Sequence, residues 1–247
     1  MMKMSVVREY LEVIYSILRR IVEEESENIE RAAEIIAEAT ASNKVVHVIG
    51  AGHSAMLGEE LFYRAGGLAN VNPLIDTDIT VAHGARKSTM LEHVEGYASV
   101  LLRSAGVEKG DVVIVVSTSG VNQFPVEAAI TARELGAKTI GITSVGYSKS
   151  LEPRNKFGKH LFEVVDVCID NKVPRGDAVL DLGIGTRVAP VSTIANCFIA
   201  NSVIARAVQK LVEKGIKPHI WISSHLPEAK EHNERLFEIF GKRVRLL

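Results

Sequence analysis

The sequence predicts an α/β protein: a flavodoxin-like three-layer sandwich with a five-stranded parallel sheet, extended by helices at both ends. Three observations predict it. From residue 44 onward, short Val/Ile-rich runs alternate with helical segments. Those runs are nearly continuous in apolar residues, as strands covered on both faces must be. A chain of 247 residues with 47% hydrophobic content is long enough for one α/β domain with an appendage.

Residues 1–42 are expected to form two helices. Met4, Val7, Leu11, Ile14, Leu18 and Ile21 recur at three- and four-residue steps, giving one apolar stripe. After "EEESEN", Ile29, Ala32, Ile36 and Ala39 form a second. This segment either covers the domain's own core or serves as a dimerisation helix. The strand-like runs are "KVVHVIG", "ANVNPLI", "DVVIVVS", "KTIGITS" and "EVVDVCID". Helices are expected over 53–66, 90–105 and 123–135, with Gly136 as a stop. A long helix over roughly 190–214 starts at Pro190 and stops at Gly215. A last helix covers about 227–240. The chain thus divides into a helical segment 1–42, an α/β domain 43–215 and a strand-and-helix extension 216–247.

Bulk properties exclude several classes. A net charge of -1 offers no basic surplus, so nucleic acid is not an expected partner. Cys168 and Cys197 stand apart, without a C-x-x-C, which suits a reducing compartment. The N-terminal stretch carries charge throughout and has no small-residue cleavage site. Its apolar runs fall short of the ~20 residues that a membrane span needs. The expectation is a cytoplasmic protein without a membrane partner. The histidines are scattered, so no metal and no other cofactor is expected.

Two loops carry the chemistry. In "VVHVIGAGHSAMLGEE", Gly50, Gly52 and Ala55 follow a β-branched run at the G-x-G-x-x-G/A spacing. Such a turn brings backbone N–H groups close to an anion at a helix start. In an open parallel sheet of this order the first and third strands are neighbours, and ligands sit beyond their carboxyl ends. The third strand runs into "STSG", where Ser117, Thr118 and Ser119 offer hydroxyls and Gly120 lets the backbone swing. Alone, such a cluster is an ordinary helix N-cap. Beside the glycine turn it suits a compact phosphate monoester. A dinucleotide enzyme would need an acid after the second strand, for which Asp76 is the candidate, and has no use for a hydroxyl-lined third loop.

"GAGHS", then "STSG" with "AAITARELGAKTIGITS", then "VVDVCID" resembles the sugar isomerase (SIS) domain of phosphosugar enzymes and regulators, over roughly residues 40–215. "EHVEGYA", "SGVNQFPVEAA" and "DNKVPRGDA" resemble runs in proteins with a single SIS domain. The resemblance implies that Ser117, Ser119 and Gly120 hold a phosphate, with Ser54 approaching the sugar phosphate as well. Gly52, His53, Thr118, Asn122, Ser144 and Arg187 complete the expected binding set, and assembly as a dimer or tetramer is implied.

Aldose–ketose isomerisation needs a base and an acid to move a proton between neighbouring carbons. Phosphoheptose isomerases, a weaker likeness, use a first-helix glutamate and a late-helix histidine. Here Glu59 and Glu60 lie one turn nearer the glycine loop, and 190–214 holds no histidine, so His219, His225 or His232 would have to substitute. Glu92 and Glu95 are the other candidate carboxylates, and they equally fit a solvated helix face. His83, Arg86 and Lys87 accompany them in "TVAHGARKSTMLEHVEGYA". Likeness to N-acetylmuramic acid 6-phosphate etherase puts Arg64 and Ala98 where its two glutamates belong, which removes that enzyme's acid and base. The polar connector "DNKVPRGDAVLDLGIGTRVAPVST" places Asp170, Asn171, Arg175, Asp177 and Arg187 within reach of a sugar or a partner subunit, or is a structured crossover. A phosphosugar isomerase-like enzyme, a non-catalytic phosphosugar sensor and, ranked below both, an etherase acting on an amino-sugar phosphate remain open.

Overall fold

The computed structural model describes residues 5–247, and Met4 of the first apolar stripe lies outside them. Helix α1 (Val6–Glu24) starts at Ser5, whose Oγ accepts the N–H of Arg8. Its stripe divides. Ile17 and Ile21 are buried on the core, whereas Val7 is 77% exposed and Leu11 59%, so the outer half is uncovered by this chain. Helix α2 (Ser26–Ala41) buries Ala32, Ile36 and Ala39 of its stripe, with Ile29 half-buried, and adds Ala33 and Ala37 beside them.

Five strands follow: β1 (Val46–Gly50), β2 (Val71–Pro73), β3 (Val112–Val116), β4 (Lys138–Thr143) and β5 (Val167–Asp170). They form one sheet in the order β2-β1-β3-β4-β5, and every pairing is parallel. Strands β1 and β3 are buried from end to end, which is why β3 reads as an unbroken apolar run and β1 as one interrupted by His47. Successive residues of β3 face opposite layers. Val112, Ile114 and Val116 pack with α2 and the long helix α9 (Ser192–Glu213), while Val113 and Val115 pack with α5 (Tyr97–Ser104) and α6 (Gln123–Glu134).

Four expectations are corrected. The helix expected over 53–66 is a 3-10 turn (Gly52–Ala55) followed by α3 (Met56–Leu61), and it ends where Phe62 turns extended. The one expected over 90–105 is two helices, α4 (Ala85–Leu91) and α5, broken at Gly96. The buried carboxylate of Glu127 on α6 accepts the N–H groups of Gly96 and Ser99, so a neighbouring helix starts α5 afresh. "EVVDVCID" gives its first two residues to α8 (Leu161–Val164) and only its last four to β5. Asp166 then caps the edge of β4 through the N–H and hydroxyl of Thr139. Pro190 ends a strand rather than starting α9, because the polar connector is an antiparallel hairpin, β6 (Ala178–Asp181) with β7 (Arg187–Pro190).

The extension 216–247 adds one isolated bridge, Ile220 with Leu68, and helix α10 (Ala229–Phe240). Trp221, Leu236, Phe240 and Val244 bury against Val45 and Ala69. Helix α7 (Val145–Lys149) follows β4. No helix among the described residues is long and apolar enough to cross a membrane.

A fully buried polar cluster ties the extension to the sheet. His47 on β1 bonds Asp111 through Nε2 (3.2 Å) and Asn72 through Nδ1 (3.0 Å). Asp111 also accepts from the N–H groups of Val45 and Glu108 and from Arg243, at 2.8–3.0 Å. Burial pushes its carboxyl up, but the His47 bond and the two N–H groups outweigh that and hold it below the usual range. Its contribution to stability is therefore complete above the unfolded value, about pH 4, and is lost as pH falls through the lower native value. Asp111→Ala is expected to cost roughly 3–5 kcal/mol, since it strands several buried donors. Urea unfolding at pH 7 and pH 3 checks both statements: the gap between wild type and variant should narrow at the lower pH.

Candidate functional site

The carboxyl ends of β1, β3 and β4 open on a cleft of about 240 Å³. Its lining comprises Ala51 and Ser54 from the first loop, Val116 to Ser119 from the third, Glu92, Pro125, Tyr147, Gly176 and Asp177. The glycine turn and "STSG" thus meet in one place, as the strand order requires.

Each loop is shaped locally. A side chain on Gly50 would lie 2.7 Å from the backbone of Ser54, so only glycine lets the turn fold back tightly. The "STSG" loop is held from behind. Ser117 N–H donates to Ile142, while Ser144 N–H and Thr143 Oγ1 donate to the carbonyl of Thr118. Gly120 N–H donates to Ser117 Oγ at 3.2 Å. Among the described residues, the N–H groups and hydroxyls of Thr118 and Ser119 and the hydroxyl of Ser54 make no hydrogen bond. Beside them starts α6, whose positive end adds to the potential felt by an anion.

Opposite these donors lies Glu92. Its Oε2 accepts from Asn122 Nδ2 at 2.6 Å, and its Oε1 sits 3.8 Å from where a side chain of Gly52 would begin. Asn122 stands at the N-cap of α6 but spends its amide on Glu92 instead of capping. The other carboxylate of the cleft, Asp177, is occupied: it accepts from the N–H groups of Val191 and Ser192 and from Ser192 Oγ, at 2.7–3.0 Å, and so caps α9. Among the described residues, no cationic side chain and no histidine lines the cleft.

The structure separates the remaining candidates. Glu59 is exposed on α3, and Glu60 turns to Arg64 and, at 2.9 Å, to Asn201 on α9. Glu95 is exposed and paired with Lys156. Glu92 and Glu95 lie in the break between α4 and α5 rather than on a continuous helix face. His53 is exposed beside Ser54 and outside the cleft lining. Ser144 is buried, with its hydroxyl donating to Val173 and accepting from Tyr147 N–H. Arg187 is exposed on the hairpin. His83 and Lys87 both engage the exposed Asp78, whose carboxyl the Lys87 and then the His83 contact pull below the usual range. His219 packs edge-on against Phe240 and is pushed down by burial, His232 donates to Ile220, and His225 is exposed. Ala98 is buried under α5.

Sequence reasoning missed Tyr147 and Glu127. Tyr147 follows the carboxyl end of β4, so the strand-end rule applied to a third loop would have found it. Nothing local marks Glu127 as the cap of α5: Gln123, one turn before it, donates to its carboxylate, but the capped N–H groups lie about thirty positions away.

The family description "SIS domain" matches residues 9–144, a span that contains both loops but begins inside α1 and ends before the hairpin. UPF0309 proteins of Geobacillus kaustophilus and Halalkalibacterium halodurans are 39% and 38% identical over 242 residues. Each alignment spans 98% of this chain, and 96% and 97% of the respective relative. Among solved structures, a phosphoheptose isomerase from Francisella tularensis matches 84% of this chain and 100% of its own, with TM-score 0.55 and 16% identity. One from Neisseria gonorrhoeae matches 84% and 97%, with TM-score 0.53 and 16% identity. At that identity the likeness is one of fold.

Proposed function

We propose, from the premise that this chain belongs to the SIS-domain family, that its cleft binds a sugar phosphate and moves a proton between neighbouring sugar carbons. The observation that carries the binding half is the Ser54 hydroxyl together with the N–H groups and hydroxyls of Thr118 and Ser119, all without a partner among the described residues and gathered in one cleft. At about 240 Å³ the cleft is smaller than the roughly 300–1,000 Å³ of drug-sized ligand sites, which favours a compact ester over a dinucleotide. The phosphoryl oxygens take the loop donors. Glu92, with one oxygen steadied by Asn122 and the other free, takes the proton next to the sugar carbonyl and returns it one carbon along. The phenol of Tyr147, on the cleft wall, is the hydroxyl available to the carbonyl oxygen as negative charge develops there.

The second reading, a sensor that binds without chemistry, is favoured by the absence of a histidine from the cleft lining and by the occupied state of Asp177. One experiment separates the two. Hexose and hexosamine phosphates are incubated with the protein in deuterated water and followed by NMR. Isomerase-type chemistry puts solvent deuterium on the sugar carbons, whereas a sensor binds and leaves them unlabelled. Binding itself is read as thermal stabilisation. Ligand at 100 times its Kd adds about 2.7 kcal/mol. Ser119→Ala is expected to lose most of that response at the same concentration, and an unchanged response would rule out the loop as the phosphate anchor.

A further inference from the structure

We infer that the cleft continues into a second compartment built to take another acidic group, so that its ligand is a sugar phosphate carrying a carboxylate or a second phosphate. This rests on the phosphate reading above. A cavity of about 270 Å³ adjoins the cleft, and Tyr147 lines both. The segment 173–177 runs along the two: Val173, Pro174 and Arg175 face the second cavity, Gly176 and Asp177 the first. It is pinned at both ends. The Val173 carbonyl accepts from Ser144 Oγ at 2.6 Å, and the Val173 N–H donates to Asn171, itself bonded to Asn196. At the other end Asp177 is fastened to the start of α9.

Between the pins, Arg175 forms no hydrogen bond or ion pair among the described residues. The other charges of the cavity are already matched. Arg20 lies on Glu24, at 3.0 Å. Lys172 is held by Glu25, Glu24 and Asp170, at 2.5, 3.1 and 3.2 Å. Glu9 and Glu12 line a separate groove that meets this one at Arg20, Lys172 and Pro174. Arg175 is therefore the cation with its donors to spare, and a guanidinium fork matches a carboxylate or phosphate. The first cleft repels a second anion, because its two charged side chains are Glu92 and Asp177. A doubly acidic ligand accordingly lies one way round, phosphate on "STSG" and the other acid past Tyr147 on Arg175.

Titration calorimetry of the full chain with glucose 6-phosphate, 6-phosphogluconate and fructose 1,6-bisphosphate tests this. One or both doubly acidic probes should bind about tenfold tighter than glucose 6-phosphate, the scale of one charge-assisted contact. In Arg175→Gln the ratio of Kd values should fall to within about twofold, and Arg175→Lys should restore part of it. Equal affinities in the wild type, or a preference that survives Arg175→Gln, overturns the inference and leaves the phosphate site standing. Binding of none of the three removes the phosphate reading and this inference with it.

Discussion

Gly120→Ala is expected to abolish the thermal response to sugar phosphates and to lower the melting temperature by roughly 6–12 °C. Gly120 has φ +61°, a region that costs an L-residue about 1–2 kcal/mol. A methyl there would lie 2.7 Å from Thr143 Oγ1, 3.2 Å from Leu161 Cβ and 3.3 Å from Ser148 Oγ. Overpacking of that kind adds about 1–3 kcal/mol. Together they come to on the order of 3 kcal/mol, and for a chain of this size each kcal/mol moves Tm by about 2–4 °C. The damage is also directional. Thr143 donates to the carbonyl of Thr118, so displacing it shifts the loop that carries the free donors of Thr118 and Ser119. Gly146→Ala is the control, since nothing lies within 4 Å of its added methyl. It should stay within about 0.5 kcal/mol of wild type. A well-folded Gly120→Ala protein with full phosphate response would refute the account of this loop.

Glu92→Gln is expected to reduce deuterium incorporation by about 10²–10⁴-fold, the usual worth of a positioned general base. Binding should change little. The amide keeps an oxygen for Asn122 Nδ2 and occupies the same volume, so the loops on either side stay supported. Glu95→Gln tests the specificity of the claim: that side chain is exposed and paired with Lys156, and its loss should leave exchange intact. Exchange that persists in Glu92→Gln would move the base elsewhere. Binding lost together with exchange would make Glu92 a support of the cleft rather than its chemistry.

Much of the molecule was legible in one dimension because burial writes itself into local pattern. Val112 to Val116 are apolar without a break since both faces of the strand are covered, and the neighbourhood of β1 and β3 followed from strand order. That neighbourhood by itself predicts that "GAGHS" and "STSG" meet. Choosing among the four glutamates was different. Glu60 and Glu95 resemble Glu92 in every local respect, yet one pairs with Arg64 and the other with Lys156. The break that turns Glu92 inward depends on Glu127 capping Gly96 and Ser99 from another helix. Local sequence leaves Asp177 open between a ligand contact and a structural crossover residue, and it is a helix cap whose partners, Val191 and Ser192, lie fourteen and fifteen residues on.

By itself, then, the sequence determined the layer architecture, the strand ends where the glycine turn and the hydroxyl loop meet, and the lack among the described residues of a helix apolar enough to cross a membrane. Those depend on periodicity, glycine geometry and short hydroxyl runs, which are properties of neighbouring residues. Tertiary structure alone decided which carboxylate of the cleft is left open, which hydroxyls are free to donate, and that Arg175 is the cation of the adjoining cavity with no partner among the described residues. Each of those is a question of who is already bonded to whom across distant segments. A hydrogen bond consumes a donor or an acceptor wherever in the chain its partner comes from, and local sequence carries no record of it.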